Sequence, residues 1–265
     1  MRLTKPLALV LLAGIPMVFA SCFWLNMPLN TEGGYDAEFH QVVSLEPGAT
    51  VRLDCAVGDV EIQGGDRTEV EVSARQEGGP SYTWSWFSGW SVRPAPRVSV
   101  EAADNVVTIK TVASEDPDLQ PKVHFLLLVP ESVKLKDIHL GRGSLTVADV
   151  YGELATTLGE GDLTVENYSG SIEATVDSGS IEAEVLDLRD EDKIVLTVRE
   201  GDIGLALEEN VGAKLEASAE AGEITGGFDF KAAAAANSVS VQLGTGKAMI
   251  TLKALKGDIE VKKIE

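Results

Sequence analysis

The chain has 265 residues, with 42 Asp and Glu against 22 Lys and Arg, which gives a formal net charge of −20 at pH 7. A surface this acidic repels the phosphates of nucleic acids and of anionic lipid headgroups. The charge balance therefore argues against nucleic acids as partners. None of the three histidines and two cysteines occurs at a spacing typical of a metal site, so no cofactor is expected.

The N terminus has the pattern of a secretory signal. Arg2 and Lys5 precede an uncharged apolar run, Pro6–Ala20, that is too short to cross a membrane comfortably as a helix. We expect residues 1–21 to be a signal peptide that is removed on export. Its removal leaves 20 basic residues (22 minus 2) against 42 acidic ones, a net charge of −22.

The signal ends in a sequence that resembles the bacterial lipobox, in which small residues precede a cysteine that is lipidated and becomes the new N terminus. Cys22 is the cysteine here, and Phe19 stands where the motif usually has Leu. The resemblance predicts lipidation of Cys22, a tether over residues 22–38, and an exported, membrane-anchored protein in the periplasm or on the cell surface. An ordinary cleavage site followed by a free cysteine is the alternative.

The most regular feature of the chain is a set of glycines at intervals of nine residues: Gly143, Gly152, Gly161, Gly170 and Gly179. The second residue after each glycine is Leu or Ile, and apolar and polar residues then alternate. Alternation with a period of two is typical of strands with one buried face, and a fixed repeat indicates stacked units. We expect each glycine to mark a corner and the Asp or Ser after it to bond the local backbone.

Odd and even copies of the repeat differ, so the full period is 18 residues, and it lengthens to 21 or 22 beyond Gly179. The later corners are expected at Gly201, Gly222 and about Gly244, and a similar sequence returns at Lys256–Ile259. Two strands and two corners per turn predict an all-β fold, a parallel β-solenoid with turns of 18–22 residues. An antiparallel meander has the same spacing, but its hairpins prefer Asp-Gly, and here the order is Gly-Asp or Gly-Ser.

Two features of the first half of the domain concern burial. The run Val123–Val129 is nearly all apolar, which predicts a strand covered on both faces. Cys55 lies in phase with Val51, Leu53 and Val57, so we expect a small buried side chain and not a reactive thiol.

A segment over residues 78–97 interrupts the pattern and holds three of the four tryptophans between Gly/Pro-rich breakers. It is predicted to be an inserted loop or hairpin. Aromatic residues contribute strongly to binding surfaces, but the same rings can also close the end of a core. The candidate binding surface consists of Tyr82, Trp84, Trp86, Phe87 and Trp90.

No catalytic constellation is visible in the sequence. His40, His124 and His139 have no neighbouring Ser or Cys, and we expect them to be structural. The stretch Leu145–Leu188 contains no Lys or Arg, so an anionic polysaccharide would be repelled there. No catalytic, cofactor-binding or metal-binding residue is therefore predicted.

The run from Val43 to Glu265 resembles the bacterial DUF4097 family, whose members carry the label of adhesins. The resemblance rests on Gly58-Asp59-Val60-Glu61-Ile62, on Leu128-Val129-Pro130 followed by Val133-Lys134-Leu135, and on the serial corners ending at Gly257-Asp258-Ile259. It implies a right-handed β-helix, here over residues 39–265. The family brings no established chemistry and no functional residues, and the tryptophan-rich insert is not part of its pattern.

The expected function is that of a non-enzymatic, lipid-anchored envelope protein, an adhesin-like interaction or scaffold module. Its expected partners are the membrane, through the lipid, and an envelope glycan or protein. A β-helix carbohydrate-active enzyme and an envelope-stress regulatory protein are the two alternatives.

Overall fold

The computed structural model describes residues 38–77, 83–85, 89–91, 97–112, 122–228 and 237–264, which form strands and turns with no helix among them. All belong to one unit of the chain, Gly33–Glu265. The strands of the first half are β1 (Glu38–Ser44), β2 (Thr50–Val57), β3 (Val60–Gly65), β4 (Glu69–Glu77), β5 (Thr83–Ser85), β6 (Gly89–Ser91), β7 (Arg97–Ala103), β8 (Val106–Val112), β9 (Lys122–Pro130), β10 (Lys134–Arg142) and β11 (Leu145–Ala148).

The second half continues in the same way. Its strands are β12 (Tyr151–Glu160), β13 (Leu163–Ser178), β14 (Ile181–Asp187), β15 (Lys193–Glu200), β16 (Ile203–Leu207), β17 (Ala213–Ala221), β18 (Ile224–Gly226), β19 (Ser238–Leu243), β20 (Ala248–Lys256) and β21 (Ile259–Lys263).

The repeating unit is a rung, in which two strands are joined by a corner of Gly followed by Asp, Ser or Glu. Strand β13 is long enough to belong to two rungs, with residues 163–168 in one and 169–178 in the next. The rungs and their corner glycines are β2–β3 (Gly58), β10–β11 (Gly143), β12–β13 (Gly161), β13–β14 (Gly179), β15–β16 (Gly201), β17–β18 (Gly222) and β20–β21 (Gly257).

Neighbouring rungs pair through parallel strands, so the first strands of the rungs form one face and the second strands another. In space the order is β8 with β9, then β2–β3, β10–β11, β12–β13, β13–β14, β15–β16, β20–β21 and β17–β18. The predicted all-β, solenoid-like stack is confirmed. Its order departs from the chain order at both ends, because β2–β3 and β20–β21 each lie inside the stack.

Antiparallel strands flank the rungs, so the 19-stranded sheet is mixed, not purely parallel. Near the N-terminal end, β1 pairs with β4, β4 with β9, and β7 with β8, all antiparallel. At the other end, β19 runs antiparallel along β17. These strands cover edges that the stacked rungs would otherwise leave open for pairing.

The core lies between the two faces and is filled by alternate residues of each rung. Leu163 and Ile172 are buried, whereas Asp162 and Glu173 are exposed, as the alternation predicts. Cys55 is also buried, and its burial raises the pKa of the thiol to about 12. Contrary to the expectation for Val123–Val129, strand β9 is not covered on both faces. Buried and more exposed side chains alternate along it as in the other strands, and Leu126 is 38% exposed.

Two buried polar side chains of the stack, Tyr168 and Asp192, have hydrogen-bond partners. The Tyr168 hydroxyl donates to the carbonyl oxygen of Gly152 at 2.9 Å, and burial raises the pKa of this phenol. The Asp192 carboxylate, which is almost completely buried, accepts a bond from the Arg189 N–H at 2.8 Å and another from the Ser171 hydroxyl at 3.3 Å. These bonds offset part of the cost of removing polar groups from water.

The corners stack as closely as the strands. A Cβ at any of several corner glycines would collide with the carbonyl oxygen of the corner glycine in the adjacent rung, as at Gly143, Gly161, Gly179, Gly201 and Gly257. The carboxylate after the glycine bonds the neighbouring rung. Asp162 accepts the Ser180 N–H at 2.8 Å, and Asp202 accepts the Asp258 N–H at 2.7 Å.

Two expectations about the corners change as a result. The Asp side chains bond the next rung and not their own turn, because parallel strands about 4.8 Å apart bring successive corners within reach of each other. Gly244 lies in the turn between β19 and β20, and Gly257 occupies the corner position between Gly201 and Gly222.

We predict that Gly179→Ala lowers the free energy of unfolding by about 2–4 kcal/mol, because it combines a positive φ with a backbone collision. Gly48→Ala is the matched control, since Gly48 also has a positive φ but an open space around its Cα. It should cost only about 1 kcal/mol. Urea denaturation of both variants measures the difference, and equal losses would contradict the stacking of the corners.

Candidate functional site

A shallow cleft of about 280 Å³ lies on the face formed by the second strands. Its floor is Gly204 on β16, which lies in register with Glu182 on β14 and Glu260 on β21. Because Gly204 has no side chain, the Glu182 carboxylate occupies the space where a Cβ would lie. The row of outward side chains therefore lacks a side chain at Gly204, and the cleft lies there, beside the Glu182 carboxylate that extends over the glycine.

The cleft is strongly acidic. Corner residues Asp202, Asp258 and Glu223 line it together with Glu182 and Glu260. Two of these carboxylates form hydrogen bonds between adjacent corners, since Asp202 accepts the Asp258 N–H and Asp258 accepts the Glu223 N–H. The lining attracts cationic groups and repels anionic ones.

A neighbouring lysine neutralises part of this charge. The Lys262 ammonium lies 2.8 Å from a Glu260 oxygen, and this hydrogen bond and charge raise the pKa of the lysine. Both side chains are about half exposed, so the pair contributes little to stability. Within the part of the chain that the structure describes, no group of three His, Cys, Asp or Glu side chains is placed to hold a metal ion.

A second polar cluster surrounds Asp59 at the corner of rung β2–β3. One carboxylate oxygen lies 3.1 Å from the Lys122 ammonium and 3.1 Å from Nδ1 of His124. The other oxygen accepts the Ser144 N–H at 3.0 Å and the Ser144 hydroxyl at 2.9 Å. The Ser144 N–H is the largest cause of the lowered pKa of Asp59, about 2.

This cluster does not have the arrangement of a nucleophilic triad. A triad places the imidazole between the hydroxyl and the carboxylate, so that the imidazole removes the hydroxyl proton. Here Asp59 lies between Ser144 and His124, and the hydroxyl donates a hydrogen bond to the carboxylate. The cluster joins rungs β2–β3 and β10–β11 to strand β9 and has a structural role. Sequence reasoning missed it, because its members are distant in the chain.

The opposite face carries a row of hydroxyl groups. Thr157, Thr175 and Thr197 are register partners on three consecutive strands, with His139 and Lys253 at the two ends of the row. Thr157, Thr175 and His139 are exposed. This row offers hydrogen-bonding groups at the spacing of the strands.

The residues chosen from sequence lie mostly outside the described part of the chain. This applies to Cys22, Tyr82, Trp86 and Phe87. Backbone is described for β5 and β6, which form a separate two-stranded antiparallel sheet with Trp84 opposite Trp90. An inserted hairpin is one of the two forms that the sequence predicts for this segment. None of the described residues forms a helix long and apolar enough to cross a membrane.

We predict a specific pH dependence for the Asp59 cluster. Because the folded-state pKa, about 2, lies below the ordinary value of 3.8, the carboxylate stabilises the fold fully above pH 3.8, and this contribution is lost as the pH falls through about 2. Asp59→Asn should therefore be less stable than the wild type at neutral pH, and the difference should shrink below pH 4.

Urea denaturation between pH 2 and pH 7 measures this difference. Ser144→Ala is the control, because it removes the hydroxyl donor and keeps the N–H donor, so it should retain most of the pH dependence. A difference between Asp59→Asn and the wild type that is independent of pH would show that the carboxylate charge is not the stabilising group.

Comparisons with known proteins agree with this architecture. The family model described as Toastrack DUF4097 matches residues 95–262. Among solved structures, a "putative cell adhesion protein" from Clostridium sporogenes ATCC 15579 is 14% identical, with a TM-score of 0.53 over 86% of this chain and 100% of the other. Identity this low shows a shared fold and no more.

Two further structures are similar at lower scores. A "putative adhesin" from Bacteroides fragilis NCTC 9343 is 12% identical, with a TM-score of 0.30 over 86% of this chain and 97% of the other. A "putative lipid binding protein" from Parabacteroides distasonis ATCC 8503 is 8% identical, with a TM-score of 0.25 over 88% of this chain and 98% of the other. No curated protein matches the sequence. Because the family model covers more than half of the chain, the protein belongs to the DUF4097 (Toastrack) family.

Proposed function

We propose that this protein is a non-enzymatic interaction module of the bacterial cell envelope, adhesin-like and held at the membrane by a lipid on Cys22. The observation that carries the proposal is the tryptophan-rich hairpin, whose strands β5 and β6 form a sheet separate from the stack. Aromatic residues grouped outside a repeating core are typical of a contact surface. The structural neighbour from Clostridium sporogenes, which shares the fold, is named for cell adhesion.

Two observations favour binding over a carbohydrate-active role. In the Asp59 cluster the Ser144 hydroxyl bonds the Asp59 carboxylate, whose lowered pKa makes it a weak base, and not the His124 imidazole. In the cleft, Asp202 and Asp258 accept backbone N–H groups of neighbouring corners, which holds them in structural bonds. A regulatory role in envelope stress would use the same binding surfaces, and its partner would be another envelope protein.

The arrangement we propose has three parts: a signal over residues 1–21, a lipidated tether over residues 22–38, and a solenoid over residues 39–265 with the tryptophan-rich insert at 78–97. We also propose that the rungs coil with a right hand. Crossover connections between parallel strands adopt this hand in about 98% of cases.

The proposed contact surface is the hairpin, with Tyr82, Trp84, Trp86, Phe87 and Trp90. Its strands β5 and β6 belong to a sheet separate from the stack, so the rungs are not interrupted by it. The surrounding chain is acidic, which favours a neutral glycan or a protein surface over an anionic polymer.

The anchor has a direct test. We predict that Cys22→Ser abolishes lipid modification and moves the protein from the membrane fraction to the soluble exported fraction. Fractionation and mass spectrometry of the mature N terminus measure both effects. An unmodified mature N terminus in the wild type would rule out the anchor.

The contact surface is tested by replacing Trp84, Trp86 and Trp90 together with alanine. We expect binding to envelope fractions or to a glycan array to fall at least about tenfold, since aromatic anchors often contribute 2 kcal/mol or more to an interface. The melting temperature should not change. The matched control is Glu182→Gln with Glu260→Gln, which alters the acidic cleft and should leave binding intact. A large fall in melting temperature for the tryptophan variant, or loss of binding only in the cleft variant, would overturn the hairpin assignment.

A further inference from the structure

A pocket of about 90 Å³ lies where three connections between strands meet. Backbone hydrogen bonds hold these connections together. The Leu45 N–H donates to the Thr68 carbonyl oxygen at 3.0 Å, and the Glu131 N–H donates to the Gly65 carbonyl oxygen at 3.0 Å. The three connections are β1–β2 (residues 45–49), β3–β4 (residues 66–68) and β9–β10 (residues 131–133). The pocket is therefore formed by the fold itself.

The first of these connections is fixed further by Asn105, which lies in the turn between β7 and β8. The Glu46 N–H donates to the side-chain oxygen of Asn105 at 2.9 Å, and the Asn105 amide donates to the Glu46 carbonyl oxygen at 3.1 Å. At the other end of the connection, the Lys134 N–H donates to the Ala49 carbonyl oxygen at 2.9 Å. A wall bonded on both sides keeps its shape without a ligand.

Most of the pocket wall is apolar. Ala49 and Val133 are almost completely buried, so they join the wall to the core. The apolar residues of the wall are Leu45, Pro47, Ala49, Pro130 and Val133. A volume of about 90 Å³ is the space of roughly three water molecules. The pocket therefore suits a small group, of the size of a short carboxylic acid.

Arg67 lines the same pocket, and its guanidinium lacks a close acceptor. The Nη1 atom lies 4.0 Å from a Glu71 oxygen, which is beyond hydrogen-bond distance. The Nε atom is buried and has no hydrogen-bond partner among the described residues. A charged donor that is kept from both water and an acceptor is costly, and an anion in the pocket would remove this cost. The side chain is 32% exposed, so the guanidinium has room to turn toward such a ligand.

The other polar residues of the lining limit the kind of anion that fits. Thr68 and Ser132 supply hydroxyl groups that donate to an anion. Glu46 also lines the pocket, and its negative charge opposes a ligand with more than one charge. A carboxylate has a single charge, and its two oxygens accept two parallel bonds from one edge of a guanidinium. Its apolar group would lie against the apolar wall.

We propose that this pocket binds a carboxylate that carries a short apolar group. The Arg67 guanidinium bonds the carboxylate oxygens, and Thr68 and Ser132 add hydroxyl hydrogen bonds. The apolar group packs against Pro47 and Pro130. Two sources have this chemistry: a free short-chain monocarboxylic acid and the C-terminal residue of a peptide. The site is independent of the hairpin and of the lipid anchor.

The test uses sodium propionate as the first probe and follows the Arg67 Nε–H in ¹H–¹⁵N spectra of the purified protein. The Nε–H signal is assigned by its absence in Arg67→Lys, which keeps the charge and lacks this donor. We expect the signal to shift as propionate is added, with a dissociation constant on the order of 1 mM. Inorganic phosphate is the control anion and should bind more weakly, because it meets Glu46 and the apolar wall.

Variants then show which groups hold the probe. Arg67→Gln should weaken propionate binding at least about tenfold, since a charge-assisted pair is lost. Arg52→Gln is the matched control, because it removes the same charge from an arginine that pairs with Asp137 at 3.3 Å and does not line the pocket. Glu46→Gln should tighten binding by about threefold through removal of a like charge. Equal melting temperatures for the variants show that each is folded.

The two sources are separated with N-acetylated dialanine, prepared once with a free C-terminal carboxylate and once as the amide. Binding of the free peptide at least tenfold tighter than propionate identifies a peptide C terminus, whereas weaker binding identifies a free acid. Three results would overturn the proposal: no shift of the Nε–H signal at 50-fold excess over about 1 mM propionate, equal losses in Arg67→Gln and Arg52→Gln, or tighter binding of phosphate than of propionate. Equal binding of the peptide and its amide would also overturn it, because the carboxylate would then not be the group that is recognised.

Discussion

The close stacking of the corner glycines is the constraint on which the rest of the structure depends. At each corner the backbone passes so near the carbonyl oxygen of the adjacent rung that no side chain fits, as at Gly161 and Gly179. Because the corners are held in register, the strands that follow them are in register too. The alternation of buried and exposed residues in one rung is then repeated in the next, which gives a continuous core.

The same constraint explains how the order of the rungs near the two ends of the stack can differ from their order in the chain. A rung pairs with its neighbours through its glycine corner and the core residues beside that corner. In rung β20–β21 the core residues lie at the same distance from the corner as in the two adjacent rungs. Insertion of β20–β21 between earlier rungs is therefore compatible with every hydrogen bond of the stack. The antiparallel strands β1, β4, β7 and β19 then cover edges at the two ends.

The acidic composition has a partly structural origin. Asp59, Asp162, Asp202 and Asp258 each accept a backbone N–H of the neighbouring corner, so these carboxylates hold rungs together. Others fill outward positions, where a polar side chain is required. The cleft at Gly204 results from the same rule, because a glycine in an outward row adds no side chain between two glutamates. The acidity thus limits the choice of partners without defining an active site.

The sequence by itself determined the features that depend on local pattern. The nine-residue spacing of the glycines predicted the rungs. The alternation of apolar and polar residues predicted the burial of Leu163 and Ile172, and the position of Cys55 among alternating apolar residues predicted its burial. Only the tertiary structure decided which rungs are neighbours, because parallel pairing joins residues that are distant in the chain and every rung has compatible edges. The place of Gly257 between Gly201 and Gly222, the Asp59 cluster and the cleft at Gly204 all follow from that pairing, and no local pattern encodes it.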